Sequence, residues 1–178
     1  MYVFIMLFCS VVKADKDPEF FEPNIGVSWA EAKVDDSNKT SNSVGPSGGF
    51  LFGSRYDWVY LYLNATASFF TSTDTSNSFY QYLYGIGFGW DLNIPVRMLF
   101  GIERGIVGGS GSDSLKGNGF RGSLSFPLGK SYFLDLQYHY IDYSESIVNE
   151  DVKASVAQYL LSLSFPIEFF YPEKSWRQ

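Results

Sequence analysis

The sequence is poor in cysteine, in charge and in long apolar runs. Cys9 is its single cysteine, so neither a disulfide framework nor a cysteine-based zinc site is available. Charged residues make up 18%, below the usual quarter. Acids outnumber bases by 19 to 13, for a formal net charge of −6. That balance excludes a nucleic-acid partner, and it excludes binding to anionic lipid through a broadly basic surface. No apolar run reaches the roughly 18 residues a transmembrane helix needs. His139 is the only histidine, and Asp35, Asp36, Glu145, Glu150 and Asp151 read as a solvated loop face rather than as cation ligands, so no metal site and no cofactor are expected.

Aromatics, by contrast, make up 19%, and there are 17 glycines. Mean hydropathy is near zero, which is how a chain reads when its apolar residues are hidden in alternation.

The first residues read as a secretory signal. Tyr2–Cys9 is an apolar core, and Val12-Lys13-Ala14 suits cleavage before Asp15. Residues 1–14 are therefore expected to be removed, although the positively charged start typical of such a signal is missing. Cys9 leaves with it, and losing Lys13 takes the net charge from −6 to −7. Residues 15–178 then form one domain, with strands within about 24–165 and a short tail at 166–178.

The chain is organised around Ser131–Tyr143. Tyr132, Leu134, Leu136, Tyr138 and Tyr140 alternate with Phe133, Asp135, Gln137, His139 and Ile141. Period two is strand geometry. At about 3.3 Å per residue this stretch reaches about 43 Å, enough to cross about 30 Å of hydrocarbon while tilted. One face is almost wholly apolar and the other carries an acid, an amide and an imidazole, as a strand with lipid outside and a filled lumen inside requires.

Seven further alternating segments predict an all-β, eight-stranded antiparallel up-and-down transmembrane barrel. They run over about Asn24–Ala32, Gly49–Tyr56, Trp58–Phe69, Phe79–Trp90, Val96–Gly105, Phe120–Phe126 and Ala154–Phe165. The connections between them alternate long and short. The long ones, 33–48, 70–78, 106–119 and 144–153, read as polar or glycine-rich loops. Long loops outside and short turns inside are the habit of outer-membrane barrels. Tyr56, Trp58, Trp90, Phe126, Tyr132 and Phe165 fall near the strand ends on the short-turn side and predict an aromatic girdle there. Phe69, Phe79, Tyr80, Phe120 and Tyr140 predict a second one.

With these residues in place, the chain resembles the small outer-membrane barrels of Gram-negative bacteria, of the OmpA, OmpX and opacity-protein type. The resemblance covers roughly Asn24–Phe165. It is carried by Leu136-Gln137-Tyr138-His139-Tyr140-Ile141-Asp142-Tyr143 and by the closing strand Gln158–Phe165. It implies residence in the outer membrane, with lipid and lipopolysaccharide around the wall. It also implies insertion by the barrel-assembly machinery through a terminal aromatic, Phe165 or, since the chain runs on, Phe169 or Tyr171. Outside partners would meet the loops at 33–48, 70–78, 106–119 and 144–153.

A barrel of eight strands is just wide enough to be filled by side chains. Gly53, Gly85, Gly87, Gly89 and Gly101 make room for Tyr60, Tyr62, Phe133, Arg55, Arg97 and Arg121. Buried charges need partners, so Arg55, Arg97, Glu103, Arg121, Asp135 and His139 are expected to form a polar lumen network. Glu103 is placed to meet Arg121, and Arg97 to meet Asp135. No catalysis is expected. Lipid A deacylase barrels carry a His-x-Ser pair, whereas Ile141 stands two residues after His139. The function expected is structural or surface-interacting. The alternatives are a narrow porin-like channel and a lipid A-modifying enzyme. A soluble lipocalin-like barrel would need an apolar interior and a polar exterior, the reverse of this pattern.

Overall fold

The structure, a computed structural model, describes residues 19–34, 40–73, 77–92, 95–109, 114–129, 131–146 and 153–168. The expected signal at 1–14 and most of the tail at 166–178 lie outside the described residues. The strands are β1 (Glu19–Val34), β2 (Thr40–Tyr56), β3 (Val59–Ser72), β4 (Ser78–Asp91), β5 (Arg97–Gly109), β6 (Leu115–Leu128), β7 (Tyr132–Ser146), β8 (Ala154–Ser164) and the two-residue β9 (Ile167–Glu168). Each of the first eight pairs antiparallel with its sequence neighbour, and β8 pairs back onto β1, so they close a barrel. β9 adds a short pairing at Phe20–Phe21 of β1. No described helix is long and apolar enough to cross a membrane.

Side chains alternate between wall and lumen throughout. Leu136 and Tyr132 of β7 are 47% and 49% exposed, while His139 between such neighbours is fully buried. Ile25, Val27 and Trp29 of β1 and Ile86 and Phe88 of β4 also point outward. The apolar face is therefore the outside of the barrel.

The strands are longer than expected, and this corrects the four loops. β1 begins at Glu19 rather than about Asn24, and β9 lies beyond Phe165. Of the stretch 33–48, Thr40 onward belongs to β2, which pairs with β1 from Lys33↔Thr40. Gly45 and Pro46 fall in that expected loop, but both lie within the strand. The β2–β3 ladder skips them, between Val44↔Thr71 and Ser47↔Ser68, where Pro46 has no N–H to contribute. Of 70–78, residues to Ser72 and from Ser78 are strand. Of 106–119, β5 runs to Gly109 and β6 starts at Leu115. Of 144–153, β7 runs to Ser146. A membrane crossing takes about 9–11 residues, so strands of 13 to 17 residues such as β2 and β5 overshoot it. The glycines that suggested loops are strand positions left small for a neighbour. A Cβ on Gly108 would stand 2.6 Å from the Tyr80 hydroxyl and 2.9 Å from the Ser114 hydroxyl.

The short-turn end holds both barrel termini. Asp57 turns β2 into β3 with φ of 56°, a left-handed conformation an aspartate tolerates, and Gly129 does the same after β6 with φ of 77°.

Candidate functional site

The lumen is filled in three tiers, and each predicted site residue has a place in them. At the short-turn end, Arg97 of β5 is 2% exposed. Its guanidinium grips Glu22 of β1 with two parallel bonds, 2.7 and 2.6 Å long, and donates a third to Ser125 at 3.1 Å. Such a fork is the strongest common form of ion pair. Asp135 stands 3.9 Å from Arg97, so Glu22 rather than Asp135 is its principal partner. The rings of Phe133 and Tyr60 lie 4.7 and 5.5 Å from the same guanidinium carbon. Phe20, Leu51, Tyr60, Tyr62 and Leu99 form an apolar cluster around this ion pair. At the rim, Arg55 pairs with Asp91 at 2.9 Å, and the Tyr60 hydroxyl donates to the same carboxylate.

The middle tier is polar. Glu103 of β5 accepts from Asn64 of β3 at 2.6 Å and lies 2.8 Å from Nδ1 of His139 on β7. The expected Glu103–Arg121 pair is not formed. His139 reaches across the lumen to Glu103, and Arg121 lies over the Tyr62 ring at 5.7 Å instead. Tyr62 can lie flat across the lumen because Gly87 and Gly101 face it. A Cβ on Gly101 would stand 3.3 Å from its hydroxyl, and one on Gly87 would collide with the ring. One step outward, Gln158 of β8 donates to Ser28 and to Ser68, each at 2.8 Å. Ser47 bonds to both serines. The serine-rich stretch that resembled a loop thus supplies one member of this ring.

The outer tier is apolar. Ala30, Phe70, Leu83, Ile141, Tyr143, Ala154 and Val156 are buried together, with Phe79, Val107 and Leu115 packed against them. Phe70 stacks on Phe79 with ring centroids 4.8 Å apart. The Tyr143 hydroxyl accepts from Gln81 at 2.8 Å.

Of the residues singled out from sequence, Arg97 and Asp135 share one cluster, Glu103 and His139 another, and Arg55 a third at the rim. Sequence reasoning missed Glu22 and Gln158. Glu22 was legible as the middle of an alternation Phe20, Glu22, Asn24 that continues β1 toward its start. On the outside at the short-turn end, Trp58 is 57% and Tyr132 49% exposed. Tyr56, Trp90, Phe126 and Phe165 are half-buried there. Tyr132 meets Phe165 edge to face at 5.3 Å, and Trp90 stacks on Phe100 at 5.6 Å. At the other end, Arg104 and Lys116 also point outward, while no group of three or more metal-ligating side chains is found among the described residues.

No family model matches this chain, and no curated protein matches it. Solved structures do. Neisserial surface protein A is 19% identical, with a TM-score of 0.57 over 84% of this chain and 97% of its own. Ail, the attachment invasion locus protein of Yersinia pestis, is 16% identical, with a TM-score of 0.60 over 85% of this chain and 100% of its own. Ail in complex with the heparin analogue sucrose octasulfate gives a TM-score of 0.52 at 18% identity, over 85% of this chain. The fold of this chain is that of the small eight-stranded outer-membrane barrels.

Proposed function

We propose that this protein is a sealed barrel of the Gram-negative outer membrane whose role is structural or surface-interacting. Export would use the cleaved signal at 1–14, and insertion would use the barrel-assembly machinery. The wall would face lipid and lipopolysaccharide. The observation that carries this reading is the interior. A lumen crossed by an ion pair, a hydrogen-bonded ring and an apolar lid supports a closed rather than a conducting barrel. Arg97 with Glu22, Glu103 with His139 and Asn64, and Gln158 with Ser28 and Ser68 are paired across the lumen, which supports a structural role for them. His139 is buried beneath the lid and turned away from lipid, which argues against action on lipid A.

The connections beyond the outer strand ends carry Asp35, Asp36, Asp74, Asp113, Glu150 and Asp151 against Lys39 and Lys153. Acidic tips suit a cationic partner, or one bridged by divalent cations, rather than a sulfated sugar of the kind bound to Ail. Reconstitution in planar bilayers tests the reading. The expected result is no stepwise conductance from protein that shows heat-modifiable migration and fractionates with the outer membrane. Steady ohmic steps would establish the channel alternative instead.

A further inference from the structure

Charge in the lumen does not balance. Among the described residues, the buried charged side chains are Glu22, Glu103 and Asp135 against Arg97 and Arg121. At the rim, Arg55 and Asp91 offset each other. His139 does not supply the missing positive charge. Its Nδ1 is bonded to Glu103, whereas Nε2 is buried without a partner, so a second proton on the ring would find no acceptor. One negative charge is left over, in an interior where an uncompensated ion is costly.

Asp135 is the acid held least. Glu103 is bonded to Asn64 and His139. Glu22 takes both arms of the Arg97 fork. Oδ1 of Asp135 stands 3.9 Å from that guanidinium and makes no hydrogen bond.

The inner face around Asp135 carries further oxygens in the same condition. Gln137, two residues along β7, faces Ser123 of β6 and donates from Nε2 to Ser162 of β8 at 2.8 Å. Ser162 itself faces Asp135, so the Gln137 carboxamide leans toward that carboxylate. Ser164, two residues beyond Ser162, faces Asn24 of β1. Side chains that face each other directly stand about 5 Å apart, and diagonal ones about 7–8 Å. Asp135, Gln137, Ser123, Ser164 and Asn24 thus share one patch over four adjacent strands. The most exposed of them, Asn24, is only 8% exposed. Oε1 of Gln137, Oδ1 of Asn24 and the hydroxyls of Ser123 and Ser164 have no hydrogen-bond partner.

A proton on Asp135 would cancel the charge but leave the two amide oxygens without a donor. Water would serve the oxygens but leave the charge. A cation answers both. Ligands that are all oxygen select a hard cation, and a surplus of one charge selects a monovalent one. We propose that Asn24, Ser123, Asp135, Gln137 and Ser164 bind one sodium ion inside the lumen, as an internal part of the fold. Its retention rests on the reading of the lumen as closed, with the apolar lid above and the Arg97–Glu22 pair below standing between the ion and water.

The barrel is refolded into phosphatidylcholine vesicles in sodium chloride or in N-methylglucamine chloride of equal ionic strength, whose cation is too bulky for a packed lumen. The pH is held at about 8, above the range in which an ordinary histidine titrates. The wild-type urea midpoint is expected to rise with sodium to a plateau and to stay flat in N-methylglucamine. Asp135→Asn keeps the shape, removes the surplus charge and should abolish the response to sodium. Asp91→Asn makes the same change of charge at the rim and should respond as the wild type does. Gln137→Leu leaves every charge in place, so it reads the site even if Asp135→Asn does not fold. It should raise the half-saturating sodium concentration at least tenfold. In a second readout, protein refolded in radiolabelled sodium is gel-filtered into N-methylglucamine. The wild type should keep about one ion per barrel, and Asp135→Asn at least tenfold less. A flat wild-type midpoint overturns the proposal, and so does an equal sodium response in wild type and Asp135→Asn. A midpoint that rises on acidification but ignores sodium assigns the charge to a proton and overturns it too. A sodium-dependent midpoint with label that washes out at once upholds the site and counts against the closed lumen instead.

Discussion

The two ends of the lumen are closed by different chemistry. At the short-turn end a buried guanidinium, gripped by Glu22 and flanked by Asp135, crosses the barrel among rings. At the outer end Phe70, Leu83, Ile141 and Val156 pack without charge. Both ends are filled by buried side chains, yet they should fail differently. An apolar lid that loses a side chain loses contacts in proportion to the space left behind. An ion pair that loses one member leaves the other buried and uncompensated. The lower closure therefore depends on a few partners, and the upper one is spread over many contacts.

Four substitutions test the contrast, each measured by urea unfolding of the barrel in lipid. Arg97→Ala should be the most damaging, because it strands Glu22 and Asp135 together. A loss of about 4–5 kcal/mol is expected, and a loss below about 2 kcal/mol would mean that the ion pair adds little. Phe70→Ala should cost about 3 kcal/mol by opening a cavity in the lid. Planar-bilayer recordings of the same variant should stay silent, because the Gln158 ring and the Glu103–His139 pair still cross the lumen beneath. Glu103→Gln keeps the shape but weakens the bonds to Asn64 and His139. About 2 kcal/mol is expected, and an unchanged unfolding midpoint would remove that pair from the account. Arg55→Ala, at the half-exposed rim pair with Asp91, should cost less than about 1 kcal/mol.

The outward and inward faces were legible because period two is visible residue by residue. Tyr138 and His139 could be assigned to opposite sides without knowing any neighbour. Partners were not legible in the same way. Which inward residue meets which across the lumen depends on the stagger of all eight strands, so Glu103 was given Arg121 when it has His139 and Asn64. Strand ends were the other failure. Serine, glycine and proline at 41–48, 108–109 and 117–119 carry turn chemistry locally. In the closed barrel the neighbouring strands hold them extended, and their small size lets Ser47 join the Gln158 ring and Gly108 lie against the Tyr80 hydroxyl. Glu22 was lost for the same reason, because β1 was begun too late.

The central claim is that the apolar half of each alternation looks into lipid. It is tested most directly by nitroxide labels placed one at a time from Leu134 to Ile141 of β7 in bilayers. With residues 1–14 removed, the chain has no native cysteine to compete for label. Accessibility to dissolved oxygen should rise at 134, 136, 138 and 140 and fall at the positions between. Peaks at 135, 137, 139 and 141, or no period of two, would contradict the claim.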